Sequence, residues 1–288
     1  MNRQGMSGRR ALMQRLGYTG LTLAALVTVA PIALIVGLIV WRGLPAVSLE
    51  FLTAMPRDGL RAGGILPAIV GTFWLTLGTA VVAVPLGVGA AIYLAEYAPE
   101  TGWTRAIRVA IINLAGIPSV VYGLFGLGLF VLFLQIGNSI LSGSLTLAIM
   151  TLPVIISTTE ESLRAVPGSF RVVSISLGGT RWQTIWRIVL PQALPGILTG
   201  VILGLERAAG ETAPILFTAA ALFLPRLPAT VFDPTMALPY HLFVISTQVP
   251  GMPIQIQYGT ALVLLGFVLG MNLLATLIRA RARARRQW

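Results

Sequence analysis

Cysteine is absent from the 288 residues, lysine is absent as well, and there is one histidine. Without cysteine there are no disulfides, no thiolate nucleophile and no cysteine-ligated metal. Without lysine this chain cannot contain a G-x-x-x-x-G-K-[ST] phosphate loop. A single histidine, His241, excludes H-E-x-x-H zinc chemistry and reads as a satisfied polar residue rather than a ligand. No G-x-S-x-G elbow occurs either, and a membrane enzyme is disfavoured. Acidic residues are scarce: nine against twenty basic ones, all of the latter arginine.

What the chain has in abundance is apolar surface. Apolar residues make up 56%, charged residues only 10%, and mean hydropathy is +0.87. These values belong to a polytopic helical membrane protein, all-α. The net charge of +11 is then loop charge facing one side of a membrane, not a nucleic-acid footprint. A span needs about 20 apolar residues. Six such stretches occur: 18–41, 68–95, one within 107–134, 140–156, 197–222 and 258–278. The first is too long for a signal peptide and lacks an A-x-A site, so it reads as a true span. Alternate loops hold Arg3, Arg9, Arg10, Arg15, Arg105, Arg108, Arg164, Arg171, Arg181, Arg187 and the tail arginines from Arg279 to Arg286. The opposite loops hold only Arg42, Arg57, Arg61 and Arg226. The rich side is expected to be cytoplasmic, with both termini inside. The expected organisation is a cytoplasmic arm over 1–17, a transmembrane domain over 18–278 and a basic tail over 279–288 resting on anionic lipid. Between the last two spans, ALPYHLFVIS reads as a short interfacial or re-entrant helix.

The cytoplasmic loop between spans four and five is patterned. Ser169 to Leu177 predicts one helix, Gly178 and Gly179 a turn, and Arg181 to Val189 a second helix stopped by Pro191. Trp182, Ile185 and Trp186 fall at i, i+3, i+4, one apolar face followed by Ile188 and Val189. Such a hairpin, about 160–191, suits either a lipid surface or a groove on a partner.

Here a resemblance appears. Gly178, Ile188, Leu190 and Pro191 match the spacing of the E-A-A-x3-G-x9-I-x-L-P motif of ABC importer permeases, with Val172, Val173 and Ser174 at the E-A-A positions. The segments GGILPAIVGTFWLT, VPLGVGAAIYLAEY, LAGIPSVVYGLFGLG, LPVIISTTEESLRAVP and ERAAGETAPILFTA are similar to phosphate importer permeases of the PstA branch, over roughly Leu16 to Ile278. Ser157 stands where similar members carry an arginine. The resemblance implies the type I ABC importer permease fold and a heteromeric importer. Its other members would be a PstC-like permease, two PstB-like ABC ATPase subunits that bind ATP and Mg, and a PstS-like periplasmic phosphate-binding protein. It implies that Gly178, Trp182, Ile185, Trp186, Ile188, Leu190 and Pro191 couple to the ATPase. No cofactor is expected in this chain itself.

The fifth span, GVILGLERAAGETAPILFTA, carries Glu206, Arg207 and Glu211 at its middle. Each charge facing lipid at a helix centre costs about 2.5–3.5 kcal/mol, so these must face protein or a polar path. Arg207 and Glu211 are four apart and can pair; Glu206 lies on another face. With the resemblance, the three are the expected translocation residues for an oxyanion. Pro214 predicts local unwinding just beyond the pair. Permeases for molybdate or sulfate remain the alternative, and an ion-coupled secondary transporter with Arg207 and Glu211 as a proton relay a more distant one.

Overall fold

The computed structural model describes residues 3–224 and 226–284; for residues 3–9, 278, 279 and 282–284 only the backbone path is described. Helix α1, Arg3–Gly43, is one continuous element, so from Arg3 on the expected arm runs in helix into the first span. It packs along α12, and its apolar surface is otherwise open. A turn at Leu44–Ala46 leads to the short α2, Leu49–Thr53, capped by the Ser48 hydroxyl, which accepts from the Phe51 N–H at 3.1 Å. A two-residue hairpin follows, Pro56–Arg57 (β1) against Ala62–Gly63 (β2). Its tip places Asp58, Gly59 and Leu60 all at positive φ.

Helix α3, Leu66–Ile92, continues through a π-helical turn at Tyr93–Tyr97. The expected third span, within 107–134, is not one straight helix. It is α4, Gly102–Ala115, bent by 101° to α5, Ser119–Gly126, which runs on through a π-helical stretch at Leu127–Phe133. The bend falls at Gly116–Pro118, where proline withdraws an N–H and bars the residue before it from helical geometry. Helix α6, Ile140–Arg164, capped by Ser139, is the most buried span and packs on α3, α9, α4, α5 and α10.

Then come α7, Gly168–Ser176; α8, Arg181–Thr184; a π-helical turn at Ile185–Val189; and α9, Leu190–Gly210. Pro191 does not stop the second hairpin helix as expected. The π turn absorbs its missing N–H: the Leu190 N–H reaches back to the Ile185 carbonyl, and Pro191 sits in the first turn of α9. Arg181–Gly210 is therefore one apolar helix of 30 residues. The expected fifth span, 197–222, is broken at Glu211 and Thr212, after which α10 covers Ala213–Thr218. The helix over 238–247 is present as α11, Leu238–Thr247, and α12 covers Ile254–Ala284. Tail residues 285–288 lie outside the described residues. Among the described residues, five helices are long and apolar enough to cross a membrane, six if the bent α4–α5 pair is one span.

Two features hold the bundle. At the arginine-poor end, α2, α3, α6, α10 and α11 share a core that includes Phe51, Leu75, Met150, Ile215, Leu238 and Val244. The Leu238 N–H donates to the Thr72 hydroxyl at 2.8 Å, tying α11 to α3. Along the bundle axis, Gly196, Gly200 and Gly204 bring α9 against α6. A Cβ on the first would strike Ser162, on the second Thr158, and on the third would press on Ile155. Small residues at four-residue spacing permit this close approach, because lipid supplies no hydrophobic drive to hold helices together.

Candidate functional site

The glycine stripe also fixes depth. Gly196 lies opposite Ser162, Gly200 opposite Thr158, and Gly204 opposite Ile155 and Thr151. One further turn along this antiparallel register sets Arg207 level with the middle of α6. At about 1.5 Å per residue, α6 is about 37 Å long, matching a hydrocarbon core of about 30 Å plus its margins. Arg207 therefore lies near mid-membrane depth.

There the chain comes out of helix. Gly210 ends α9, Glu211 is extended (φ −76°, ψ 135°), and Pro214 sits in the first turn of α10. Arg207 occupies the last turn of α9, where a cation suits the negative helix end. Its Nε donates to Glu211 Oε1 at 3.3 Å, with side chains 38% and 18% exposed. The expected pair is thus formed, and it is partly open: among the described residues Arg207 Nε bonds to Glu211, and more than a third of the arginine side chain stays exposed. Glu211 lines a narrow crevice with Thr72, Thr76, Leu147, Ala208 and Ile215. Tyr122 of α5 lies within electrostatic reach of Arg207, its hydroxyl donating to the Leu114 carbonyl at 2.8 Å. Tyr122 was not singled out from sequence; as a buried tyrosine in a glycine-rich span, it carries only a general signal.

Glu206 is not part of this arrangement. It lies about 160° around α9 from Gly204, at 3.6 residues per turn, so it turns away from α6. Its Oε1 is buried and accepts no hydrogen bond among the described residues. Ser157 lines a separate cavity of about 240 Å³ toward the arginine-rich end, with Arg108, Ile111, Glu160, Glu161 and Arg164. Arg108 donates there to Glu160 at 2.8 Å and to Glu100 at 3.0 Å, and Arg164 to the same two carboxylates at 3.0 and 3.1 Å. Arg108 first and then Arg164 hold the Glu100 carboxyl below the usual carboxylate range.

At the arginine-rich end, α7 and α8 form the expected hairpin. Gly178 has φ +84°, a conformation in which a β-carbon is strained, and this makes the turn. Ser174 and Thr184 share a 2.7 Å hydrogen bond across it, and Thr180 with Gln183 forms a capping box on α8. The Trp182 and Trp186 rings pack 5.1 Å apart and stay 60% and 46% exposed. Ile185 does not join them. It is 1% exposed and faces the interior, as does Val189; standing three residues after Trp182, it lies about 60° around the helix from that residue and about 100° from Trp186, at the inner edge of their face. Ile188, Leu190 and Pro191 are half-buried. The outward surface consists instead of Phe170, Val172, Val173, Ile175 and Leu177 of the first hairpin helix and its turn, with the two tryptophans.

A sequence profile of the family described as binding-protein-dependent transport system inner membrane component matches residues 83–286. The chain belongs to this family. The permease is 34% identical to the probable ABC transporter permease protein YqgI of Bacillus subtilis over 84% of its own length and 88% of that protein's. It is 34% identical to the phosphate transport system permease protein PstA of Xylella fastidiosa, over 87% and 90% of the two chains, and 33% identical to that of Mycobacterium leprae, over 97% and 93%. Its fold is that of the permease chains of solved ABC importers. It matches a bacterial ABC transporter involved in the import of the acidic polysaccharide alginate with a TM-score of 0.66 at 14% identity, over 94% and 99% of the chains. The MetNI methionine ABC transporter gives 0.61 at 14% identity, over 76% and 97%. The permease is thus a transport component with the type I importer permease fold, and the matched region contains both the hairpin and the broken helix bearing Arg207.

Proposed function

We propose that the chain is the membrane-spanning subunit of an ATP-driven importer for inorganic phosphate, lining the translocation path together with a second permease. The observation that carries this reading is Arg207, at mid-membrane depth and partly exposed, paired with Glu211 beside an unwound stretch of chain. Left against lipid, that charge costs about 2.5–3.5 kcal/mol, so the face it occupies belongs against another subunit across a polar path. The PstA names of full-length relatives support phosphate as the cargo.

The chemistry fits that cargo. Arginine stays charged in a dry site and presents forked N–H donors to an oxyanion. Phosphate at neutral pH retains a P–OH proton, which Glu211 can accept as a hydrogen bond. Sulfate has no proton to give and is repelled by the same carboxylate, so the pair selects as well as binds.

The arginine-rich end is cytoplasmic on this reading, both termini lie inside, and the hairpin face of Trp182 and Trp186 docks on an ATPase subunit. That ATPase supplies the ATP and Mg sites, and a periplasmic phosphate-binding protein delivers cargo from the opposite side. The double variant Arg207→Gln with Glu211→Gln tests the site. Removing Arg207 alone strands a carboxylate at depth and threatens folding; removing both charges relieves that. The expected result is a well-expressed double variant without phosphate uptake. Uptake near the unmodified level would refute the assignment.

A further inference from the structure

The hairpin has no acid of its own. From residue 162 to residue 205 there is no Asp or Glu, while Arg164, Arg171, Arg181 and Arg187 fall inside that stretch. The acid comes from elsewhere. Glu96, in the π-helical turn that ends α3, has a side chain 8% exposed and is met by Arg171 of α7. Arg171 Nη2 donates to Glu96 Oε1 at 2.5 Å, and its Nε to both carboxylate oxygens at 3.2 Å. The rest of the guanidinium fork serves the end of α6: Nη1 donates to the Val166 carbonyl at 2.8 Å and Nη2 to the Leu163 carbonyl at 2.9 Å. Arg181, the first residue of α8, donates to the backbone carbonyl of the same Glu96, with its guanidinium 5.1 Å from the centre of the Tyr97 ring.

One residue at the end of α3 is therefore tied to both helices of the hairpin, and through Arg171 to the last turn of α6. A buried, multiply bonded ion pair holds geometry far more tightly than an exposed one. We propose that Glu96 is a positioning residue for transport. It locks the α7–α8 hairpin to α3, so that a displacement imposed on the hairpin by its partner is delivered to α3 and the wall packed on it. This rests on the reading of the hairpin as the ATPase-docking surface. Glu96 has no contact with cargo; its role is to prevent the hairpin from moving alone.

The absence of native cysteine from this chain lets it carry paired spin labels at chosen positions, placed before assembly with its partners. Labels at Ser169→Cys on α7 and Val81→Cys on the exposed face of α3 report whether the two move together. In the otherwise native complex, their separation should stay the same with and without ATP, while the distance from Ser169 to a label at Gly20→Cys on α1 changes. In Glu96→Ala the Ser169–Val81 separation should become nucleotide-dependent. Phosphate taken up per ATP hydrolysed should fall about tenfold, the scale of a typical coupling free energy, with hydrolysis itself retained. Glu96→Gln should fall between the two. If Glu96→Ala does not assemble, Arg171→Lys, which keeps the charge but loses the fork, is read in the same way. An invariant Ser169–Val81 separation in the assembled variant, with uptake per ATP unchanged, overturns the proposal. A complex that shows the nucleotide response but carries no phosphate refutes the cargo assignment and leaves this proposal standing.

Discussion

His241 on α11 is 2% exposed, and its Nδ1 is buried without a hydrogen bond among the described residues. Burial pushes its pKa down to about 4 from the ordinary value of 6.5. Between those values the unfolded chain takes up a proton that the folded chain refuses. Stability is thus fully present above pH 6.5 and declines as pH falls toward 4, by up to about 3 kcal/mol. Thermal unfolding in detergent should show this slope in the native chain and a flatter one in His241→Gln. The same scale of argument applies to Gly200, where a methyl group would collide with Thr158. Gly200→Ala should cost about 1–3 kcal/mol. Gly20→Ala, in open space on α1, should be neutral or slightly stabilising. The Arg207–Glu211 pair was legible in the sequence because the two stand four residues apart, and it forms although Glu211 lies just past the helix end. The Glu96–Arg171 pair was not: its members are 75 residues apart, and local periodicity carries no information about a contact made by topology. The Gly196, Gly200 and Gly204 repeat was present in the sequence as small residues at fourfold spacing and went unread, although it sets the depth of Arg207.

Breaks were harder to place than elements. Span positions followed from runs of apolar residues, and the hairpin from its glycine pair. One proline bends the chain and another does not. Pro118 marks a 101° bend, while Pro191 passes into a continuous helix through a π turn. A proline removes one N–H in either case, and whether the chain bends or absorbs the loss depends on what packs around it. Ile185 lies in the interior, at the inner edge of the face of the tryptophans it was expected to accompany. Gly178 tests the hairpin as an element. No atom crowds its β-position, so Gly178→Val acts through φ alone, a strain of about 1–2 kcal/mol. The variant should reach the membrane in near-normal amount and lose transport; full uptake would count against a coupling role for the turn.

For the whole molecule, the arginine asymmetry makes a topological prediction. Reporter fusions at Gly59 and Pro234 should read as periplasmic, and one at Gly168 as cytoplasmic. A cytoplasmic signal at Pro234 would invert the orientation. The 30-residue helix from Arg181 to Gly210 then has one end in the cytoplasmic hairpin and the other at the site. It meets α6 closely along Gly196, Gly200 and Gly204, flanked by Ile197 and Val201. Such an element transmits torque. With a radius of about 5–6 Å including side chains, a twist of about 20° sweeps the Arg207 head group through about 2 Å. Glu211 lies past the helix end, in a crevice shared with α3 and α6. A 3.3 Å contact cannot survive that shear, so a small angular input at the cytoplasmic end would open and close the arginine's grip on its carboxylate, freeing the donors when the turn goes one way and quenching them when it reverses.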